Sequence, residues 1–160
     1  MFIQLNECEQ KMAVWLARKR YQNARAQGKP NLKMGDQSNE QTDLEGIGAE
    51  IAFCKVMNVY PDLEICLTDL PPQDAITRNG TTVDVKATKY RNGRLLVTLK
   101  KKIADVDMYV LVTGEFPRYK IVGFMESSEI INEKRIGDLG HGRGYIAEQA
   151  ELDNEFGGLF

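Results

Sequence analysis

Long apolar runs and paired cysteines are both missing from this sequence. No apolar segment approaches the roughly 18 residues of a membrane span, so we expect no membrane partner. Residues 1–5 are followed at once by two acidic positions and lack a basic flank, which argues against a signal peptide. The three cysteines are odd in number and far apart: Cys8, Cys54 and Cys66. Their spacing fits neither a zinc site nor a disulfide framework and predicts reduced thiols in a cytoplasmic protein.

Histidine is nearly absent as well, and this excludes most mechanisms in which a histidine activates a serine or cysteine nucleophile. The single His141 lies among Gly140, Gly142 and Gly144, and we expect a mobile loop there because the glycine spacing lacks the strand-to-helix context of a dinucleotide site. With so few partners, the sequence offers no Ser–His–Asp or Cys–His arrangement.

What remains is the composition of a folded globular chain, 42% hydrophobic and 28% charged. We expect one domain over residues 1–160, with an N-terminal helix (6–27), a core (43–126) and a C-terminal extension (127–160). The first helix should bury Met12, Trp15, Leu16 and Tyr21.

A second helix should begin near Thr42 or Asp43, with Glu45 in a capping-box position, and end near Asn58. Short strands follow at about 63–67, 74–77, 81–90, 94–100, 108–113 and 120–126, with a tail strand near 143–148. Together these elements predict an α+β (α/β) fold with a central mixed β-sheet flanked by helices.

The strand expected at 81–90 carries an acid and a lysine on one face. Alternation directs Val83 and Val85 to the core and Asp84 and Lys86 to the opposite face. The surrounding residues 78–102 carry eight Lys/Arg against Asp84 alone. Such a block is either a solubilising edge or a phosphate-binding rim, and the second reading assigns it to nucleic-acid binding. The candidates are Lys89, Arg91, Arg94, Lys100, Lys101 and Lys102.

The Arg-Asn-Gly triplets at 78–80 and 91–93 predict two hairpins, each with a three-residue loop and a left-handed glycine. The first loop pairs Asp74 directly with Asp84, on one face. The second loop pairs Val85, Ala87 and Lys89 with Leu99, Val97 and Leu95. Opposed carboxylates repel unless a cation lies between them, and carboxylate oxygens suit magnesium or manganese.

The second helix supplies a third carboxylate. Its apolar stripe consists of Leu44, Ile47, Ile51, Cys54 and Met57. Glu50 falls within this stripe, where a charge is costly without a partner. Glu45 lies about 140° away on the helical wheel, so we assign it to the first-turn cap and Glu50 to the site.

This order of residues resembles the PD-(D/E)xK nuclease superfamily. The resemblance rests on Glu50 in the helix, Asp74-Ala75-Ile76 opening a strand, and Asp84-Val85-Lys86 on the next strand. Residues 46–50 resemble the first core helix of its resolvase and Mrr-like branches, and residues 104–112 resemble a later core strand. Two departures are the Pro-Asp dipeptide, which stands at 61–62, and the short space for a helix after the lysine strand.

The resemblance implies a restriction-endonuclease-like core and a metal-dependent deoxyribonuclease. Asp74 and Asp84 would ligate Mg²⁺ or Mn²⁺ together with the Val85 carbonyl, and Glu50 would bind the metal directly or through water. Lys86 would orient or deprotonate the water that attacks a phosphodiester of DNA. A homodimer is plausible because one active site cuts one strand.

Two other functions stay open at this point. One is a catalytically inactive scaffold of the same fold that binds DNA or protein, and the other is a structural phage or accessory protein with an accidental motif. RNA as the target, and endo- or exonucleolytic cutting, also stay open.

Overall fold

The computed structural model describes residues 1–28, 39–65, 72–140 and 142–159. The helices are α1 (Glu7–Ala26), α2 (Asn39–Met57) and the short α3 (Ser127–Ile130). The strands are β1 (Phe2–Gln4), β2 (Ala75–Ile76), β3 (Thr82–Thr88), β4 (Leu95–Thr98), β5 (Met108–Glu115), β6 (Arg118–Glu126), β7 (Ile136–Asp138) and β8 (Arg143–Ala147). Within the described part of the chain, no helix is long and apolar enough to cross a membrane.

Five strands form one mixed sheet in the order β1-β6-β5-β3-β2, where only β3 and β5 run parallel. The remaining strands form a small antiparallel sheet in the order β4-β8-β7. The predicted α+β fold with a central mixed sheet is therefore confirmed. Helices α1 and α2 pack on one face of this sheet, and the small sheet and α3 pack on the other.

Helix α1 begins with a reciprocal cap. The Asn6 side chain accepts a hydrogen bond from the Glu9 amide, and the Glu9 carboxylate accepts one from the Asn6 amide. The buried face of α1 consists of Ala13, Leu16 and Ala17. The prediction that Trp15 is buried is wrong, because its position on the wheel leaves it 48% exposed.

Helix α2 is buried along the predicted stripe, including Ile47, Ile51, Cys54 and Met57. It begins at Asn39, earlier than predicted, so Glu45 lies within the helix rather than at its start. The Glu45 carboxylate accepts hydrogen bonds from the Phe116 amide and the Tyr119 hydroxyl at 2.8 and 3.3 Å. Glu45 therefore binds the β5–β6 turn to the helix and is not a cap.

The first predicted hairpin is confirmed. Ala75 pairs with Val83, and the Thr77 amide donates to the Thr81 carbonyl, so the loop spans residues 78–80. Gly80 has a φ of +89°, the left-handed conformation that the three-residue loop requires.

The second predicted hairpin is wrong. Both edges of β3 are taken by β2 and β5, and β4 pairs with β8 instead. Leu95 and Val97 are buried as their alternation predicts, but they pack on Tyr109 and Leu111 across the sheet. The glycine at 93 is also not left-handed. Apolar alternation indicates that a strand is buried without identifying its partner.

Three further differences concern the strands. Residues 63–65 form no strand, while residues 66 and 67 lie outside the described part. Strands β1 and β7 were not expected, and the connection from β4 to β5 contains only a 3₁₀ turn at Ile103–Asp105.

Cys8 is exposed and Cys54 is buried, both as free thiols. Cys66 and His141 lie outside the described residues.

Candidate active site

Asp84 lies at the centre of the predicted site, on β3, between β5 and the short edge strand β2. Only 2% of the residue is exposed, because Tyr109 of β5 lies beside it in the parallel register. Lys86, two positions along β3, forms an ion pair with Asp84 Oδ1, and Lys101 Nζ lies 2.8 Å from Oδ2. One buried carboxylate is thus compensated by two ammonium groups.

Asp74 immediately precedes β2 and closes the edge of β3. Its Oδ2 accepts a hydrogen bond from the Val85 amide at 2.7 Å. Extending the β2–β3 register by one residue places Asp74 opposite Asp84, as the loop length predicts. Burial raises the pKa of Asp74 to about 6, and the charge of Asp84 adds to the rise. The Val85 amide and the ammonium groups of Lys86 and Lys101 act in the opposite direction.

Glu50 reaches the same region from α2. Its side chain is 19% exposed and lies 3.5 Å from the Arg20 guanidinium. Burial raises the pKa of Glu50 to about 8, the Asp74 carboxylate adds to the rise, and Arg20 opposes it. Asp84 also contributes to the rise, so all three predicted carboxylates interact electrostatically.

Arg20 is a site residue that the sequence analysis missed. From α1 it donates to the carbonyls of Glu64 and Asp62 at 2.9 and 3.1 Å, and it lies 3.3 Å from the Asp62 carboxylate. Its side chain is only 14% exposed. Arg20 thus fixes Glu50 and the segment after α2 relative to α1. The sequence does contain a pattern that indicates a role for Arg20. Arg20 follows the buried Leu16 at helical spacing, so it lies on the buried face of α1, where a charge needs a partner.

The Tyr109 hydroxyl is buried and receives no hydrogen bond from the described residues. Asp84 Oδ1 is in ion-pair contact with the Lys86 ammonium group, which lies 5.9 Å from the centre of the Tyr109 ring. A carboxylate oxygen in contact with one ammonium group retains a second lone pair that another cation could use.

The carboxylates of Glu50, Asp74 and Asp84 are not arranged as a metal-chelating cluster. Across residues 1–28, 39–65, 72–140 and 142–159, no three Asp, Glu, His or Cys side chains stand close enough together to hold a metal ion. Each acid instead has its own cationic neighbour: Arg20 lies beside Glu50, and Lys86 and Lys101 lie beside Asp84. The donor set has the chemistry of a magnesium or manganese site, and binding would require these side chains to rearrange.

The predicted basic rim divides into different environments. Lys101 belongs to the site itself, where it also donates to the Pro72 carbonyl at 3.4 Å. Arg94 precedes β4 of the small sheet and is paired with Glu148 at 2.7 Å. Lys89 and Arg91 line a separate groove, whereas Lys100 and Lys102 are exposed on either side of Lys101.

A cleft open to solvent reaches Asp74. It has a volume of about 650 Å³ and lies between residues 60–64 and β2. Asp62 and Asp74 line it, and Tyr60 at its rim is 80% exposed. The cleft gives a ligand access to the side of the sheet where Asp74 stands.

Comparison with known proteins adds one relative. The chain is 30% identical over 92 residues to Uncharacterized protein MJ0827 of Methanocaldococcus jannaschii. The match covers 56% of this chain and 44% of the relative, so the chain spans less than half of that protein. No family model matches the sequence, and no solved structure matches it either.

Proposed function

We propose that this protein is a metal-dependent nuclease of the PD-(D/E)xK type that hydrolyses phosphodiester bonds in DNA. The observation that carries the proposal is the electrostatic coupling of Glu50, Asp74 and Asp84 beside β3, with Lys86 and Lys101 in contact with Asp84. Three acids with two amines beside a solvent cleft are costly to bury and supply what phosphodiester hydrolysis needs.

Asp74, Asp84 and the Val85 carbonyl would hold Mg²⁺ or Mn²⁺, with Glu50 binding directly or through water. The burial of the Asp84 carboxylate among cationic groups supports this assignment, because it shows a site that accommodates positive charge. When bound, the cation would supply Lewis-acid stabilisation of the charge that develops on the phosphate.

The protein's own side chains would perform the remaining steps. Lys86 is held by Asp84 next to the Tyr109 ring, where its ammonium group would orient the attacking water. Lys101 would leave Asp84 when the cation binds and would then contact a phosphate oxygen. Arg20 is a positioning residue that keeps Glu50 directed towards Asp74.

The test is a cleavage assay on single-stranded, double-stranded and branched DNA, with RNA in parallel and Mg²⁺ or Mn²⁺ present. Wild-type protein should cut, and Asp84→Asn and Lys86→Met should each lose cutting by about a hundredfold or more. Exposed Lys134→Met removes the same charge outside the site and the basic rim, and is the matched control. Equal cutting by wild type and Asp84→Asn would remove the catalytic assignment.

A non-catalytic scaffold that binds DNA or protein is the alternative. The pairing of every site carboxylate with a cationic side chain or a backbone amide favours it, because such a cluster is stable without metal. Calorimetry with Mn²⁺ separates the two. Heat that disappears in Asp84→Asn supports the nuclease, whereas no heat from wild type supports the scaffold.

The proposal includes a homodimer only for the cutting of duplex DNA. Each chain carries one set of these residues, and two sets would be needed to cut both strands. Sedimentation of the protein with and without duplex DNA would test it.

A further inference from the structure

A second basic surface lies at the opposite end of β3 from the first hairpin. It is a groove of about 670 Å³ between β1, the start of β6 and the segment after β3. Four cationic residues line it: Lys89, Arg91, Arg118 and Lys120. No Asp or Glu is among its lining residues.

These four cations are not neutralised. Lys89, Arg91 and Arg118 are exposed and Lys120 is half-buried, and none of the four has a carboxylate within ion-pair distance in the described part of the chain. Arg118 donates to the Gln4 side-chain oxygen at 3.1 Å. Four positive charges without a carboxylate partner on one concave surface attract a polyanion.

An aromatic side chain completes the groove. Phe2 of β1 is 83% exposed, and the Lys120 ammonium group lies 5.9 Å from the centre of its ring. Exposing a phenylalanine on a strand is unfavourable for an isolated protein. An exposed ring beside cations is the arrangement on which nucleic-acid bases stack.

The groove and the site share a strand. Lys86 of the site and Lys89 of the groove are three positions apart, and Thr88 at the end of β3 pairs with Thr113, which lines the groove. Arg118 and Lys120 come from β6, which hydrogen bonds to β1 and β5. The fold thus joins basic residues that lie far apart in sequence.

We propose that this groove binds a single strand of nucleic acid, with phosphates on the four cations and a base stacked on Phe2. The proposal deepens the proposed function, on which it rests, by identifying the form of substrate that the chain holds. A single strand fits better than a duplex because only unpaired bases expose a face to Phe2. A concave surface with one aromatic ring is less suited to a flat anionic membrane.

The experiment measures anisotropy of a labelled thymidine oligonucleotide in EDTA, so that binding is independent of cutting. Arg118→Ala/Lys120→Ala should weaken binding and reduce the slope of log K against log salt by about 0.7 for each lost phosphate contact. Phe2→Ala should weaken binding by about fivefold to a hundredfold and leave that slope unchanged. Phe2→Tyr keeps the ring and should bind like wild type.

The control is Lys19→Ala/Lys134→Ala, which removes two exposed charges elsewhere on the surface. Melting temperatures establish that every variant is folded. An equal loss in this control, no effect of Phe2→Ala, or tighter binding of duplex than of single strand would overturn the groove assignment. Binding to phosphatidylserine vesicles with the same Phe2 dependence would overturn it in favour of a membrane surface.

Failure of the two proposals can be told apart. If wild type binds the oligonucleotide through the groove but never cuts, the groove stands and the nuclease assignment fails. If wild type cuts and the groove variants bind and cut normally, the groove assignment alone fails.

Discussion

Lys101 Nζ lies 2.8 Å from Asp84 Oδ2, so an ammonium group occupies the place next to this carboxylate where the proposed metal ion would bind. Lys101 and that metal ion would therefore compete for one buried charge. Lys101 comes from the turn after β4, and its reach to Asp84 depends on the packing of the small sheet against the central one.

Replacing Lys101 should strengthen metal binding. Lys101→Met removes the competing charge, so we expect the Mn²⁺ dissociation constant to fall about five- to tenfold, measured by calorimetry. The neighbouring Lys100→Met removes the same charge at an exposed position and should leave the constant within about twofold of wild type. Unchanged or weaker Mn²⁺ binding by Lys101→Met would contradict the competition.

Glu50 should make the protein less stable at alkaline pH. Burial raises the pKa of Glu50 to about 8 from an ordinary 4.5, so between these values the folded state holds a proton that the unfolded state releases. The free energy of unfolding should therefore fall as pH rises through this window, by at most about 1.4 kcal/mol per pH unit for one group.

The measurement is urea unfolding in EDTA between pH 5 and pH 8.5. Asp74 accounts for part of the slope up to pH about 6, so the decline above that value is assigned to Glu50. Glu50→Gln should flatten it, and the exposed Glu133→Gln should not. The same decline in Glu50→Gln as in wild type would refute the assignment.

Arg20 should contribute more to stability than an arginine two positions away. Arg20→Met loses hydrogen bonds to two backbone carbonyls and the contact with Glu50, so unfolding should become easier by about 2–3 kcal/mol. Arg18 has a 63% exposed side chain at 4.0 Å from Glu40, and Arg18→Met should cost no more than about 0.5 kcal/mol.

Arg20→Lys separates charge from shape. A lysine keeps the positive charge but not the planar fork that reaches several oxygens, so it should recover only part of the lost stability. Full recovery by lysine would mean that charge alone matters at this position. Chemical denaturation of the three variants under one condition provides the comparison.

Gly48 is required by the packing of α2 on β6. A methyl group there would overlap the hydroxyl of Tyr119 and lie 2.9 Å from its Cζ, while Tyr119 is only 2% exposed. Gly48→Ala should destabilise the protein by about 1–3 kcal/mol. Gly46, in the same helix, has no atom within 4 Å of the added methyl, so Gly46→Ala should be neutral or stabilise by up to about 1 kcal/mol. Thermal unfolding of both variants tests the contrast.

The parts of the fold that the sequence predicts are local. Loop length alone places Asp74 opposite Asp84, because the residues of a hairpin are tied by a short turn. The pairing of β3 with β5 and of β4 with β8 joins distant segments, and apolar alternation does not distinguish among possible partners. The second hairpin is wrong for this reason.

The candidate site, too, could be predicted from the sequence only in part. Glu50 is found because a charge within an apolar stripe needs a partner, and the same criterion applies to Arg20. Lys101 is not distinguishable in sequence from Lys100 and Lys102, since all three belong to one run of lysines. Only the packing of the two sheets selects the one that reaches Asp84.

The position of Arg20 on α1 has a consequence for how this chain can be shortened. A fragment of residues 43–126 would keep all four predicted catalytic side chains but would lose the guanidinium group that holds Glu50 and the Asp62–Glu64 segment. The groups proposed to act on the substrate and the group that supports them are thus encoded in separate stretches of sequence.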